Sequence, residues 1–377
     1  MRIAYTLEQC WQRVPGGTGI SAIEVARHLM ETPEIELIGV AGRHRHGPTA
    51  GFTPPVPVTT LPLGSPWLYE TWTRFRWPLV ESVVDNIDLV HGTSIIPPAT
   101  RKPLVVTVHD LAFLHHPEFF TKRGNKVFRR SLKMLVDDAA MVLCSSEATM
   151  HDCRAAGFDE ERLRHVPLGV TTHDVTDVDR RRVQATYELP EKFILFVGTL
   201  EPRKNLSRLI QAVSSMRDAP PLLIAGMEGW GEEAPVLNHD VRFLGFVPAH
   251  NLPAIYEACT VFAFPSIFEG YGLPVIEAMA HGAPVVTSRG ISTEEVAGGA
   301  AVLVDPLNVI PLLTAFEKRC LQPMNYVRVG LNARVMLRGQ PQQNLQLRRT
   351  VTHWNVHDGC ETCCNELVVV CAWCWRQ

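Results

Sequence analysis

Short apolar runs rich in Val, Ile and Leu alternate along the chain with stretches whose apolar residues recur every three or four positions. The first pattern suits strands buried on both faces and the second suits helices that cover them. The chain therefore predicts an α/β fold of parallel strands joined by crossover helices. In the first half, strands are expected near Arg2–Thr6, Ile35–Ala41, Leu89–His91, Leu104–His109 and Met141–Ser145. Helices are expected near Ile20–Met30, Trp67–Val84, Lys126–Asp138 and Ala148–Ala156. The polar segment Thr171 to Arg182, rich in Asp and Arg and without periodicity, interrupts the alternation. It is assigned to a linker over 171–188. A second series of strands follows near Phe193–Gly198, Leu222–Ala225, Val241–Leu244, Val261–Pro265, Pro284–Thr287 and Ala301–Val304. After Pro202, which suits a first helical turn, Leu206, Leu209, Ile210 and Val213 mark one buried helix face. The expected architecture is two Rossmann-like domains, 1–170 and 189–306, facing each other across a cleft, with ligands at the carboxyl ends of the strands.

A chain of 377 residues, 46% hydrophobic and 20% charged, is long enough for two such cores. With 36 Lys+Arg against 39 Asp+Glu, its formal charge of −3 offers no broad basic field. Nucleic acid is therefore not an expected partner, and cationic work must be local. Met1 to Thr6 lacks the basic flank and apolar core of a signal peptide. The longest wholly apolar run, Leu367 to Trp375, has nine residues where a spanning helix needs about 20. Five of the ten cysteines crowd the last 18 residues and the remainder is cysteine-poor. A reducing, cytoplasmic location is expected.

Several motifs carry candidate chemistry. In Val14-Pro-Gly-Gly-Thr-Gly-Ile20, Gly17, Gly19 and Ala22 match the loose dinucleotide pattern G-x-G-x-x-A. About nine residues separate the strand from the glycines, however, and strand two ends in Gly42-Arg43 instead of an acid. Arg43 and Arg45 leave an NADP oxidoreductase as a rival reading. The preferred reading is that backbone N–H groups around Gly17 and Thr18 line a ligand site, with a simple packing turn as the bland alternative. The strongest local signal is Phe264-Pro-Ser-Ile-Phe-Glu-Gly-Tyr-Gly-Leu-Pro-Val-Ile-Glu277. It reads as strand, glycine loop and helix start, where unpaired N–H groups and a positive dipole end suit a phosphate. Glu269 precedes that helix and Glu277 is placed in its first turn, so the two carboxylates would flank one ligand. Arg203 and Lys204 in Val197-Gly-Thr-Leu-Glu-Pro-Arg-Lys-Asn205 fall at the start of a helix, the end that disfavours cations. A bound diphosphate would explain the placement, each charge-assisted contact contributing about 1.5–3 kcal/mol.

With these residues in hand, the chain from 1 to about 306 resembles the retaining, nucleotide-sugar-dependent glycosyltransferases of family 4 (glycosyl transferases group 1), which adopt the GT-B fold. Glu269 and Glu277 form the E-x7-E arrangement of that family, accompanied by Val285-Val-Thr-Ser288 and by Glu295 to Pro306. The resemblance implies that the first domain lies on the acceptor side and the second binds the nucleotide sugar. It implies that Glu269 touches the transferred sugar and Glu277 the ribose. Arg203 and Lys204 would hold the diphosphate, helped by amides from Gly270, Tyr271, Gly272 and Leu273. His109, at the end of Leu104–Val108, would reach the sugar near its anomeric carbon. Many relatives have an arginine where this chain has Thr199, a place Arg203 would fill. The implied reaction is transfer of a hexose, guessed to be mannose, to a carbohydrate or lipid-linked acceptor in polysaccharide biosynthesis, with the departing phosphate accepting the acceptor's proton. Rival readings within the same fold are a sugar-nucleotide epimerase and a non-catalytic sugar-nucleotide binder.

No cofactor or metal is expected. Asp177-Val-Asp179 matches the letters of a metal-binding D-x-D but lies in the polar linker and reads as solvated charge. Trp67, Trp72, Phe75 and Trp77 interleave with Arg74 and Arg76. They fit a helix covering the sheet, an acceptor groove, or an edge resting peripherally on the inner face of a membrane. After Pro306 the resemblance fades, and Gly339 to Arg349 is glutamine-rich. The tail 307–377 is set apart as frame-shifted or disordered sequence. Its pairs Cys360/Cys363 and Cys371/Cys374 are too tightly spaced around Cys364 for a favoured zinc site.

Overall fold

The structure, a computed structural model, describes residues 1–227, 240–308, 314 and 316. The chain divides into two compact units, with the boundary between Leu168 and Gly169. Among the described residues, the first unit carries a seven-stranded sheet with all neighbours parallel. Its strands are β1 (Arg2–Thr6), β2 (Glu36–Ala41), β3 (Val58–Thr60), β4 (Leu89–Gly92), β5 (Leu104–Val108), β6 (Met141–Cys144) and β7 (Leu163–His165). They lie in the order β3-β2-β1-β4-β5-β6-β7. The connecting helices are α1 (Gly16–Met30), α2 (Trp67–Phe75), α3 (Ala112–His115), α4 (Lys122–Asp138) and α5 (Glu147–Ala155). Strand side chains alternate between faces. Ile3 and Tyr5 therefore join Ala22, Ile23, Ala26 and Leu29 of α1 in one core, while Ala4 joins Leu68, Trp72, Val127 and Leu135 in another.

The second unit repeats the plan. It contains α6 (Asp177–Tyr187), β8 (Ile194–Val197), α7 (Leu206–Ser214), β9 (Leu222–Ala225), β10 (Val241–Gly245), α8 (Leu252–Ala258) and β11 (Val261–Phe264). They are followed by α9 (Leu273–Ala280), β12 (Val285–Ser288), α10 (Ser292–Ala297) and β13 (Val302–Val304). The parallel sheet runs β10-β9-β8-β11-β12-β13. Phe193, Phe196, Phe262 and Phe264 are fully buried at its centre.

Where sequence and structure differ, the cause is local. The expected helix Trp67–Val84 stops at Phe75 because Arg76 turns left-handed and Pro78 cannot continue a helical ladder. Edge strands β3 and β7 and the single turn α3 are too short to show a period. The segment read as a linker is helical from Asp177. Thr176 and Asp179 form a reciprocal capping box, and Arg180 and Arg182 pair back to Asp177 and Asp179. These contacts hold a polar helix, with Val183 buried, where periodicity shows nothing. Apart from 307, 308, 314 and 316, the tail and its cysteine pairs lie outside the described residues. No helix among the described residues is long and apolar enough to cross a membrane.

Thr176→Ala removes one half of that capping box and should destabilise the chain by about 1 kcal/mol. Urea denaturation is expected to show a lower midpoint at unchanged slope.

Candidate functional site

In the second unit the strand order reverses between β8 and β11, the point where chain connections diverge and a parallel sheet leaves a crevice. The loops leaving these two strands carry the predicted residues. After β8 the chain makes a 3₁₀ turn over Pro202–Lys204, then Asn205 takes a left-handed conformation (φ 61°) and α7 starts afresh. Arg203 and Lys204 thus precede the α-helix instead of opening it. The loop after β11 is latched through its carbonyls. Asn205 Nδ2 donates to Pro265 O at 2.9 Å, Thr287 Oγ1 to Phe264 O at 2.9 Å, and Ser292 Oγ to Glu269 O at 2.7 Å. Ile267 N donates in return to Arg203 O at 2.8 Å.

These latches bring three charges together. Lys204 Nζ lies 2.6 Å from Glu269 Oε1, and Arg203 Nη1 lies 2.7 Å from Glu269 Oε2. Ser266 Oγ adds a hydrogen bond of 2.9 Å to Glu269 Oε1, and Glu201 takes Arg203 Nε at 2.7 Å. Lys204 is 7% exposed and Glu269 8%. Burial pushes the Glu269 carboxyl up, but Arg203 and Lys204 more than reverse this and hold it at about 2. Burial likewise draws the Lys204 ammonium below its ordinary value, with Glu269 opposing. The misplacement of two cations inferred from sequence is therefore answered by Glu201 and Glu269, without requiring a phosphate. Glu269, expected to touch the transferred sugar, is already bonded at both oxygens. Lys204 makes a single hydrogen bond, to Glu269, among the described residues, and its ammonium sits 4.6 Å from the Phe264 ring centroid. Two of its three donors remain for a ligand.

The helix start beside this cluster is α9. Gly272 caps it at φ 107°, and a Cβ there would come within 2.9 Å of Thr293 Cγ2, so both backbone and neighbour require glycine. Gly270, Tyr271, Gly272 and Leu273 therefore lead into the helix as expected. Glu277 is the fifth residue of α9 and lies in its second turn, not its first. Burial raises the Glu277 carboxyl, and the Tyr256 hydroxyl donates to its Oε2 at 2.9 Å. Tyr256 is itself buried in α8 and packs edge-on against Phe262. Sequence reading missed Tyr256, which comes from another helix, and Ser266. It also missed Glu201, although that acid directly precedes the Pro-Arg-Lys run it neutralises.

Gly17, Thr18 and His109 belong to the first unit. The glycine loop is not a loop: α1 begins at Gly16, and the Thr18 hydroxyl is taken by Pro15 O at 3.1 Å. Gly19 is needed because a Cβ would meet Pro15 Cβ at 2.7 Å and the Phe52 ring at 3.2 Å. Arg43 and Arg45, held open for a 2′-phosphate, are exposed. In this sheet the order reverses between β1 and β4, and a buried polar knot fills the reversal. Thr93 Oγ1 donates to Thr6 O at 2.7 Å, its N–H to Thr6 Oγ1 at 2.9 Å, and Gln9 Nε2 donates to Thr93 O at 2.9 Å. The His109 carbonyl accepts from Ser145 Oγ and Thr149 Oγ1. Burial lowers the His109 pKa, and it lowers that of nearby His91 to about 4, so His91 is neutral at pH 7. A small cavity next to them is lined by Tyr5, His91, Thr107 and His109.

Among the described residues no group of three or more His, Cys, Asp or Glu is arranged for a metal ion. Asp177 and Asp179 are occupied by Arg180, Arg182 and the Thr176 cap.

Two family models match the chain: Glycosyltransferase Family 4 over residues 15–174 and Glycosyl transferases group 1 over 177–335. The O-antigen chain mannosyltransferase B of Escherichia coli is 31% identical over 249 residues, covering 62% of this chain and 65% of the relative. A D-inositol 3-phosphate glycosyltransferase of Corynebacterium kroppenstedtii is 28% identical over 261 residues, 62% of this chain and 57% of the relative. The chain thus spans less than two thirds of either protein. Among solved structures, Anabaena HepE in complex with UDP and glucose superposes with a TM-score of 0.63 at 22% identity, covering 85% of this chain and 90% of that one. The sucrose-phosphate synthase of Thermosynechococcus elongatus does so with 0.66 at 18%, with the same coverage. Both sheets match the GT-B architecture.

Glu269→Gln leaves Lys204 and Arg203 without their shared counter-charge and should cost about 3–5 kcal/mol at pH 7. A carboxyl held at about 2 in the folded chain, against 4.5 ordinarily, stabilises above pH 4.5 and loses that contribution as pH falls towards 2. Denaturant titrations of both proteins are expected to converge over that window.

Proposed function

The chain belongs to the family 4 glycosyltransferases, and on that premise we propose that it moves a hexose from a nucleoside-diphosphate sugar to an acceptor hydroxyl, with retention at the anomeric carbon and no metal ion. The observation that carries this reading is the buried Lys204 ammonium. It has two uncommitted donors, sits beside Arg203, and occupies the crevice between β8 and β11 near the start of α9. Buried charge with spare donors is costly unless a ligand completes it, and a diphosphate is the anion whose size and charge suit one ammonium, one guanidinium and a helix N-terminus.

In the proposed reaction the bond from the anomeric carbon to the diphosphate breaks, and Lys204 and Arg203 take up the developing negative charge. The acceptor oxygen bonds to the same face of that carbon. Its proton passes to the departing phosphate oxygen, so no separate base is needed. Glu269 acts first by keeping Lys204 charged and both cations aimed, and the remaining accepting position on its Oε2 is proposed for a sugar hydroxyl. Glu277, oriented by Tyr256, takes the ribose. In the first unit, Gly17, Thr18 and His109 are proposed as sugar-contacting residues on the family resemblance, His109 as a neutral imidazole. Mannose is the proposed sugar, supported by the name of the E. coli relative.

Lys204→Ala and Glu277→Ala are each expected to weaken nucleoside-diphosphate binding by about tenfold or more, one lost charge-assisted contact, in titration calorimetry. Wild-type affinity in both variants would refute the site. With labelled donor, free nucleoside diphosphate should appear only when acceptor is present. Label recovered in an isomerised donor, or a nicotinamide-dependent absorbance change, would instead favour an epimerase or an oxidoreductase.

A further inference from the structure

We propose that the face formed by α2 and α4 in the first unit docks on an anionic lipid bilayer. On α4, the exposed residues Lys122, Lys126, Arg129 and Lys133 follow one another at intervals of four, three and four. At 3.6 residues per turn this spacing places them in a single stripe about 60° wide. Among the described residues the three lysines form no ion pair, and the Arg129 guanidinium bonds only to the neutral Asn125. The carboxylates of the same face are taken by other arginines. Glu70 is shared by Arg74, Arg123 and Arg130, which hold it at about 2 against its burial, and Asp138 pairs with Arg76. Asp137 sits at the far end of α4. The face therefore sets eight cations against three carboxylates, within a chain whose overall charge is −3.

The aromatic side chains of α2 flank this stripe. Arg123 at the start of α4 reaches both Trp67 and Glu70, Arg130 reaches Glu70 and Thr73, and Arg76 past the end of α2 meets Asp138 at the end of α4. The two helices thus run side by side in the same direction. Trp67, Phe75 and Trp77 project from this edge with 66%, 73% and 52% of their surface in water. Exposed rings next to uncompensated cations match a headgroup layer, which offers anionic phosphates and a shallow apolar boundary together.

Charge complementarity selects this occupant. A second copy would bring the same positive face against itself. Stacking of nucleic-acid bases on Trp67 is opposed by Arg123, which already covers that ring at 5.6 Å from its centroid.

Co-sedimentation with phosphatidylglycerol-containing vesicles, compared with pure phosphatidylcholine vesicles, tests the assignment on the full chain. Binding is expected for the anionic vesicles alone and should be lost at about 0.5 M salt, where screening shortens the range of the field. The triple variant Lys122→Gln/Lys126→Gln/Lys133→Gln should partition on the order of a hundredfold more weakly, at roughly fivefold per charge. Phe75→Ser should weaken binding without altering its salt dependence. Unchanged partitioning of the triple variant would overturn the proposal, as would equal binding to neutral vesicles or displacement from anionic vesicles by single-stranded RNA. Self-association abolished by the same triple variant would likewise reassign the face. Nucleoside-diphosphate affinity, read in parallel, should be the same in the variants and wild type, so the outcome here is independent of the donor site.

Discussion

A lysine and a glutamate, both withdrawn from water and 2.6 Å apart, set the conditions for the second unit. Neither charge is tolerable alone in that position. The ammonium therefore requires the carboxylate, the carboxylate takes a second cation and a serine, and the loop carrying it must be held in place. The side-chain bonds to successive carbonyls of the 264–269 segment supply that rigidity. What is left over is directional: donors on Lys204 that no described residue takes, presented at the end of a parallel sheet.

The first unit solves the same geometric problem with neutral groups. Its strand reversal is filled by Thr6, Gln9 and Thr93, all buried and mutually bonded. A neutral knot needs no counter-ion, and beside it burial lowers the His109 pKa against the opposing effects of Asp110 and the Thr93 backbone. The two sheets thus share a topological rule and differ in the currency used to fix the loop: fixed charge in one, hydroxyl and amide hydrogen bonds in the other.

Charge is sorted across the molecule by what surrounds it. Lys204 and Glu269 are buried, Arg203 is half-buried, and all three are paired. Asp177, Arg180 and Arg182 are exposed, Asp179 is half-buried, and the four are used to hold α6. The lysines of α4 are exposed and, among the described residues, form no ion pair. A net charge near zero conceals these three situations, each with a different role: proposed ligand binding, local stability and the proposed attraction to an anionic surface.

The alternation of apolar runs and helical periods was enough to place most strands of both sheets, because central parallel strands are buried on both faces and must be apolar throughout. The E-x7-E spacing and the Arg-Lys pair were legible for a similar reason, since residue type and local spacing carry their chemistry. Edge strands β3 and β7 have three residues each, too few to display a period, and α6 is held by caps and ion pairs that a hydrophobic pattern does not register. The partners of the charged groups lay beyond sequence altogether. Tyr256 reaches Glu277 from another helix, and Lys204 meets Glu269 across 65 residues. A side chain's neighbours, and hence its protonation and its free donors, are set by which loops the sheet order brings side by side.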